Sequence, residues 1–393
     1  MKRYFKYLVV FWLVWSCKSL KQVSDVPLNL NVNEVLSGID SVYLVTQDGD
    51  TLSSLDQDYE LAIFPYVPDT ITIAAVGDIM TGTNFPNESY LPKDTGRYLW
   101  KEVRLPLKSA DITFGNLEGT ILNKGGEQKS CSNPKLCYLF RSPEYLSTNL
   151  LESGFDLMSV ANNHANDFGV TGRLNTQKVL DSLGIAHAGS IDQPFVVKKI
   201  GHLKIGFCAF APNRGTISIH QYGYIAEIIQ RLDSVADIVI ASIHAGAEGA
   251  KNQKITRKRE FYYGEDRGNV YELAHLMVDH GADVIIGHGP HVVRAIEVYQ
   301  DKMIAYSLGN FLTYGRFNLR GPAGEAPLLE IKTDAKGNFL RGKIHAFRQS
   351  YDFGPRNDLN LSSIKTIQRL SLEDFPENPI EISSGGEITY IDR

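Results

Sequence analysis

Five times along the middle of this chain a short apolar run, rich in β-branched residues, ends directly in an acid, an amide or an imidazole. ITIAAV at 71–76 leads into Gly77 and Asp78, and DITF at 111–114 into Gly115, Asn116, Leu117 and Glu118. FDLMSVA at 155–161 delivers Asn162, Asn163 and His164; DIVIASI at 237–243 ends at His244; DVII at 283–286 opens GHGPH, which carries His288 and His291. Runs of this kind read as buried strands, and the glycines that follow turn the chain sharply. In open α/β sheets, ligands and catalysis gather beyond the carboxyl ends of the strands, so residues far apart in sequence share one crevice. A single H-x-x-H reads equally as one packed and one exposed histidine. Five such strand ends point to a common cleft.

Between about 70 and 315, strand-like runs alternate with helical signals, which predicts α/β architecture. Ser142 and Pro143 open a helix to Glu152, stopped by Gly154. A second covers about Leu174 to Leu183 and halts at Gly184, and a third runs from Asn269 to His280, ended by Gly281. On that third helix His275 and His280 do not share a face and read as structural or exposed. Lys18 to about Asp69 is rich in Asn, Ser, Asp and Gln and reads as a tether with an edge element around Asp48, Gly49 and Asp50. After Phe311, PLLEIKTDAKGNFLRGKIHAF alternates on both sides of a turn at Asp334 to Asn338, a β-hairpin. Residues 350–393 are weakly patterned. The predicted organisation is therefore 1–17, 18–69, a main domain over 70–315, and a hairpin with tail over 316–393 packed on that domain.

With 393 residues, 43% of them apolar, the chain can bury a large core. Net charge is −5 and no Lys/Arg stripe is sustained, so nothing marks it for nucleic acid. KITRKRE at 254–260, the strongest basic run, reads as a solvated loop or helix face. At the amino terminus Lys2, Arg3 and Lys6 precede an apolar stretch, Tyr7 to Trp15, too short to span a bilayer comfortably. That is the pattern of an export signal. It ends LVWSC, which resembles the lipobox of bacterial lipoproteins with Cys17 as the lipidated residue, although Trp15 is unusual there. The expectation is a membrane-anchored lipoprotein of the cell envelope, with plain secretion or an uncleaved anchor as alternatives. Cys131 and Cys137 flank a short polar loop and suit a local disulfide or a pair of free thiols. Cys208, inside KIGFCAF, reads as a small buried hydrophobe.

Asp78, Glu118, Asn163, His244, His288 and His291 form a mixed nitrogen and oxygen ligand field. It suits Mn, Zn or Fe and lacks the thiolates of a structural zinc site. A shared carboxylate holds two cations about 4 Å apart and lets them clamp a phosphoryl or similar group; Glu118 is the candidate bridge. Asn163 offers an amide oxygen, while His164, next in the chain, is free to protonate a leaving group. Asp167 either orients the His164 ring or caps a helix. Asn116 and Asn310 line the same cleft. Taken singly, each has an ordinary reading: Asp78 and Asn310 as turn residues, Glu118 as a surface acid, Asn163 and His164 as an Asx turn with a capping histidine, His244 as an imidazole bonded to backbone.

In order, GDIM, GNLEG, FRSPEYL, ANNHANDFG, HAGAE, GHGPHV and YSLGNF resemble the CapA family of capsule-synthesis proteins linked to poly-γ-glutamate. The domain of that family is similar to calcineurin-like metallophosphoesterases, and the resemblance covers roughly residues 70–315. It implies a four-layer α-β-β-α sandwich of metallophosphoesterase type with a C-terminal β-hairpin extension, and a cleft for one or two divalent ions. By position, Asp78 resembles the first phosphoesterase acid, Glu118 the bridging carboxylate, Asn163 the amide ligand and His164 the catalytic imidazole. His244, His288 and His291 resemble the remaining ligands. Three departures stand out. The usual D-x-H is Asp78, Ile79, Met80; the usual H-x-H is stretched to H-x-x-H; and HAGAE lacks the bulkier residue usual after its histidine. A thioether is a poor replacement for imidazole on a hard or borderline cation, so the position served by His291 is expected to be the weaker one. With the export signal, the resemblance leads to the expectation of an exported metal-dependent hydrolase or transferase, acting at a phosphoryl, acyl or amide group of a capsule or envelope polymer beside other capsule-synthesis proteins. The rival expectation is a non-catalytic polymer-binding or anchoring module, which Met80 favours.

Overall fold

The strands that carry the polar motifs are buried on both faces, and their alternation sorts side chains into two separate cores. β1 (Ile71–Met80), β2 (Ile112–Leu117), β3 (Leu157–Ser159) and β4 (Ala186–Ala188) lie side by side in parallel. The chain then enters a second sheet through β5 (Phe195–Ile200), β6 (Leu203–Phe210), β7 (Ile238–His244), β8 (Val284–His288), β9 (Ile296–Tyr299) and β10 (Lys302–Ala305), whose spatial order is β9, β10, β8, β7, β6, β5. It returns to the first sheet as β11 (Asn310–Thr313), which runs parallel to the end of β1. β12 (Leu328–Thr333), β13 (Phe339–His345), β14 (Ile380–Ile382) and β15 (Glu387–Tyr390) complete that nine-stranded sheet. The computed structural model describes residues 70–131, 137–350 and 353–391, which belong to one compact unit, Pro68–Arg393. The predicted export signal, Cys17 and the tether lie outside the described residues.

Ile73 and Ala75 of β1, Ile238 and Ile240 of β7, and Val284 and Ile286 of β8 meet between the sheets. Their neighbours along each strand point the other way, as a period of two requires. Ala74 and Val76 pack outward against Leu107, Leu150 and Leu180 of α1 (Arg104–Lys108), α2 (Thr148–Glu152) and α3 (Gly169–Ser182). Val239, Ala241 and Ile285 pack outward against α4 (Tyr222–Asp233) and α5 (Val270–Asp279). On α4 the buried residues Ile225, Ile228, Ile229 and Leu232 keep one helical face. Asn269 caps α5 by accepting from the Glu272 backbone N–H. The result is the four-layer helix, sheet, sheet, helix sandwich, and near-continuous apolar strands follow from helices covering both outer faces.

Local structure departs from the sequence expectation in three places. Pro143 is extended, and Ser142 pairs with Ile121 in a short parallel ladder, so the helix expected from 142 becomes a 3-10 turn, Glu144–Ser147, followed by α2. The second helix starts earlier than expected, at Gly169. The tail over 350–393 supplies α6 (Ser362–Asp374), which buries Ile364, Ile367 and Leu370, β15, and the edge strand β14 beside it. The hairpin β12–β13 closes with Asp334 N–H donating to the Asn338 carbonyl at 3.0 Å. The basic run is answered by acids within and after α6: Lys254 meets Glu373 at 2.9 Å and Arg257 meets Glu377 at 2.6 Å.

The junction of this tail with the domain carries a titratable carboxyl. Glu325 is 6% exposed and accepts from Thr366 Oγ1 of α6 at 3.2 Å. Burial pushes its carboxyl up to about 7, against partial opposition from Thr366 and Arg348. The folded state therefore holds a proton that the unfolded chain releases near pH 4.3. Stability from this group is present below that value and is lost as pH rises through about 7, by on the order of 4 kcal/mol in all. Glu325→Gln keeps the shape and removes the titration. Melting temperatures compared from about pH 5 to about pH 8 are expected to fall more steeply in the parent than in the variant; parallel curves sink the assignment.

Candidate metal centre

Sequence glycines set up the cleft by letting backbones approach. A Cβ on Gly77 would lie 2.0 Å from the Gly309 carbonyl oxygen, and one on Gly287 2.1 Å from that of Tyr306. With those contacts made, Asp78 N–H donates to Gly309 O at 2.9 Å. Strand register then aligns the polar residues: Asp78 stands opposite Asn116 on β2 and Asn310 on β11, and His288 opposite His244 on β7.

Asn116 Nδ2 donates to Asp78 Oδ1 at 2.8 Å and to Glu118 Oε2 at 2.6 Å, tying the two acids together. His291 Nδ1 lies 2.8 Å from Asp78 Oδ2, and His288 Nδ1 3.2 Å from Asp78 Oδ1. Glu118 faces the remaining imidazole and the far nitrogen of His291, with Oε2 3.8 Å from His244 Nδ1 and Oε1 3.9 Å from His291 Nε2. Asp78, Glu118 and His244 each present a ligand atom within 4.8 Å of the others. Asp78, Glu118, His244 and His288 are buried.

Electrostatics follow from that burial. Desolvation opposes ionisation of Asp78, but His288 and His291 beside it prevail and hold it well below the usual carboxylate range. Desolvation and then the charge of Asp78 push Glu118 well above that range. His244 is held well below the ordinary histidine value by burial. His291 is pushed up to about 10: burial lowers it, but the bond to Asp78 outweighs burial.

The donor set fits a divalent cation. Glu118 Oε1, Asn163 Oδ1, Asn310 Oδ1, both ring nitrogens of His244 and Nε2 of His288 are buried with no hydrogen-bond partner. Unpaired buried polar atoms are costly, and several aimed at one cleft are what metal coordination satisfies. Met80, where an imidazole was expected, is buried. From the other sheet, His288 and His291 reach opposite oxygens of the Asp78 carboxylate. The longer H-x-x-H spacing permits this through left-handed backbone at Gly289 (φ 110°) and His291 (φ 56°). For His291 that conformation costs about 1 kcal/mol, and Asn310 steadies it by donating to the His291 carbonyl at 3.2 Å.

His164 stands apart from the acid cluster, with Nδ1 2.7 Å from Asp167 Oδ2. Asp167, fully buried, also accepts from Phe140 N–H at 2.8 Å. Asn163 and His164 ride on a turn pinned by Asn162, to which the sequence reading gave no role. Asn162 Nδ2 donates to Asn116 Oδ1 at 3.1 Å and to Leu117 O at 2.8 Å, while its Oδ1 accepts from His164 N–H at 3.0 Å. A doubled asparagine before the histidine was the available signal. The small residues of HAGAE also gain a reason: Gly246, at φ 88°, leaves room for the fully buried Arg294, whose guanidinium a Cβ there would meet at 2.7 Å. Arg294 pairs with Glu260 at 3.0 and 2.7 Å, and Glu260 accepts from Ala247 N–H, so the loop after His244 is clamped.

The chain is 28% identical over 265 residues to the capsule biosynthesis protein CapA of Bacillus anthracis, covering 62% of this chain and 60% of that one. It is 28% identical over 268 residues to the PGA biosynthesis protein CapA of Bacillus subtilis, covering 63% and 64% respectively. The matched stretch thus spans less than two thirds of those relatives' length. Among solved structures, a 5'-nucleotidase precursor from Thermus thermophilus aligns with a TM-score of 0.41 at 11% identity, covering 76% of this chain and 58% of that one. The family profile of the bacterial capsule synthesis protein PGA_cap matches residues 72–314, which include every residue of the cleft, and the chain belongs to that family.

Proposed function

We propose that this protein is an exported, lipid-anchored, metal-dependent hydrolase or transferase that acts at a phosphoryl, acyl or amide group of a capsule or envelope polymer, poly-γ-glutamate being one such polymer. The observation that carries this reading is the buried cluster of Asp78, Glu118 and His244, whose ligand atoms lie within 4.8 Å of one another, with Glu118 Oε1 and both His244 ring nitrogens lacking a hydrogen-bond partner. Asp78, Glu118, His244, His288, His291 and the Asn163 amide would hold one or two ions of Mn, Zn or Fe. A bound ion polarises the group under attack and acidifies a water molecule. The chain's own residues supply the rest: Asn116 keeps the acids together, and Asp167 fixes the His164 ring so that Nε2 can give a proton to the leaving atom. Lys2, Arg3, Lys6 and Cys17 support export and anchoring; among the described residues no helix is long and apolar enough to cross a membrane.

Chelation tests the reading directly. Metal-depleted protein is expected to lose hydrolysis of a generic phosphodiester and of polyglutamate, and single additions of Mn, Zn or Fe to restore one of these. Met80 favours the rival reading, a polymer-binding module. A metal-free protein that retains polymer without turning it over would establish that rival and remove the enzyme.

A further inference from the structure

The catalytic-side turn is gripped by two residues that flank one disulfide. Cys131 and Cys137 are bonded, with Cα atoms 5.8 Å apart. Two residues before Cys131, the Lys129 backbone N–H donates to Asp167 O at 2.8 Å. Its ammonium donates to the Asn163 carbonyl at 2.7 Å and lies 3.9 Å from Asp167 Oδ1. Three residues after Cys137, Phe140 N–H donates to Asp167 Oδ2, and the Phe140 ring lies 4.3 Å from that of His164. Cys137 itself packs against Leu122, Leu139 and Phe168, the last being the residue after Asp167. The two arms of the disulfide therefore meet at Asp167, the partner of the His164 ring.

We propose that the Cys131–Cys137 disulfide is a redox-sensitive positioning device for His164, working through Lys129 and Phe140 as positioning residues. This rests on the reading of His164 as the proton donor. Lys129 is exposed at the surface, and holding its long side chain in one geometry costs entropy. A staple two residues away limits the freedom of that arm, and the same staple fixes the start of the segment that carries Phe140. Cutting it loosens both grips while leaving Asp78, Glu118 and the metal-side histidines untouched. The ring that must meet the leaving atom is then less well aimed, and small misplacement of such a group is expensive in rate.

The test reduces native protein with a water-soluble phosphine. The two sulfurs take up two electrons and two protons as thiols, and the phosphorus takes oxygen from water as the phosphine oxide. The expected result is a fall in kcat of about tenfold or more on a generic phosphodiester, with KM within about twofold and bound metal retained. In histidine-labelled protein the downfield proton resonance of His164 Nδ1, hydrogen-bonded to Asp167, broadens or disappears on reduction. A Cys131→Ser, Cys137→Ser double variant should match the reduced protein and ignore the phosphine. Lys129→Met, which leaves the disulfide intact, should lower kcat with metal content unchanged, and Lys129→Arg should recover most of it; this pair carries the test if the sulfur changes unfold the loop. Reduced, folded protein with unaltered kcat and an unaltered His164 resonance overturns the proposal. Absence of turnover on every substrate would count against the catalytic reading alone, because the resonance reports the clamp independently of activity.

Discussion

Glu118→Gln is expected to fold normally, to lose its bound divalent ion, and to lose turnover by on the order of a thousandfold or more. Both oxygens of Glu118 are committed to the cleft, one toward His244 and one toward His291, and Oε1 has no protein partner. An amide at this position is a weak ligand and cannot serve two positions as a carboxylate can. The fold should tolerate the change, because desolvation already opposes ionisation of Glu118 and an amide of the same shape carries no charge to bury. Metal stoichiometry by mass spectrometry, turnover and a melting curve on one preparation separate these effects. Full metal content with parental turnover would remove Glu118 from the site.

His164→Ala should divide the two halves of the cleft. Its ring is bonded to Asp167 and lies against Phe140, with no hydrogen bond to Asp78 or Glu118 among those found for the described residues. Metal content is therefore expected to stay at the parental level while kcat falls by about 10² to 10⁴, the usual worth of a general acid. Substrates whose leaving group needs no proton should lose less. If metal departs together with activity, His164 is a ligand and the assignment of Asn163 and His164 to separate tasks fails.

Much of this cleft was legible because its signals are local. A continuous apolar, β-branched run, a glycine that lets a neighbouring carbonyl approach, and a polar residue immediately after can all be read from short stretches of sequence, as at 71–78 and 283–291. Asn162 was passed over because its two targets, Asn116 Oδ1 and Leu117 O, lie on another strand. The spacing of GHGPH does not disclose that His291 turns left-handed and comes back to Asp78. The tail was underestimated for a similar reason: β14 and β15 are three and four residues long, and pairing of β15 with β13 and of β14 with β15 stabilises them more than their own pattern does.

By itself the sequence determined the α/β layering, the order in which polar residues arrive at strand ends, and the nitrogen and oxygen character of the ligand field, since alternation, turn chemistry and donor type are properties of short segments. Only the tertiary structure decided which imidazole meets which acid, that the tail completes the first sheet, and that both arms of one disulfide meet at Asp167. Those are distances between segments tens to hundreds of residues apart. They are set by how two twisted sheets pack face to face, and no local periodicity encodes that packing.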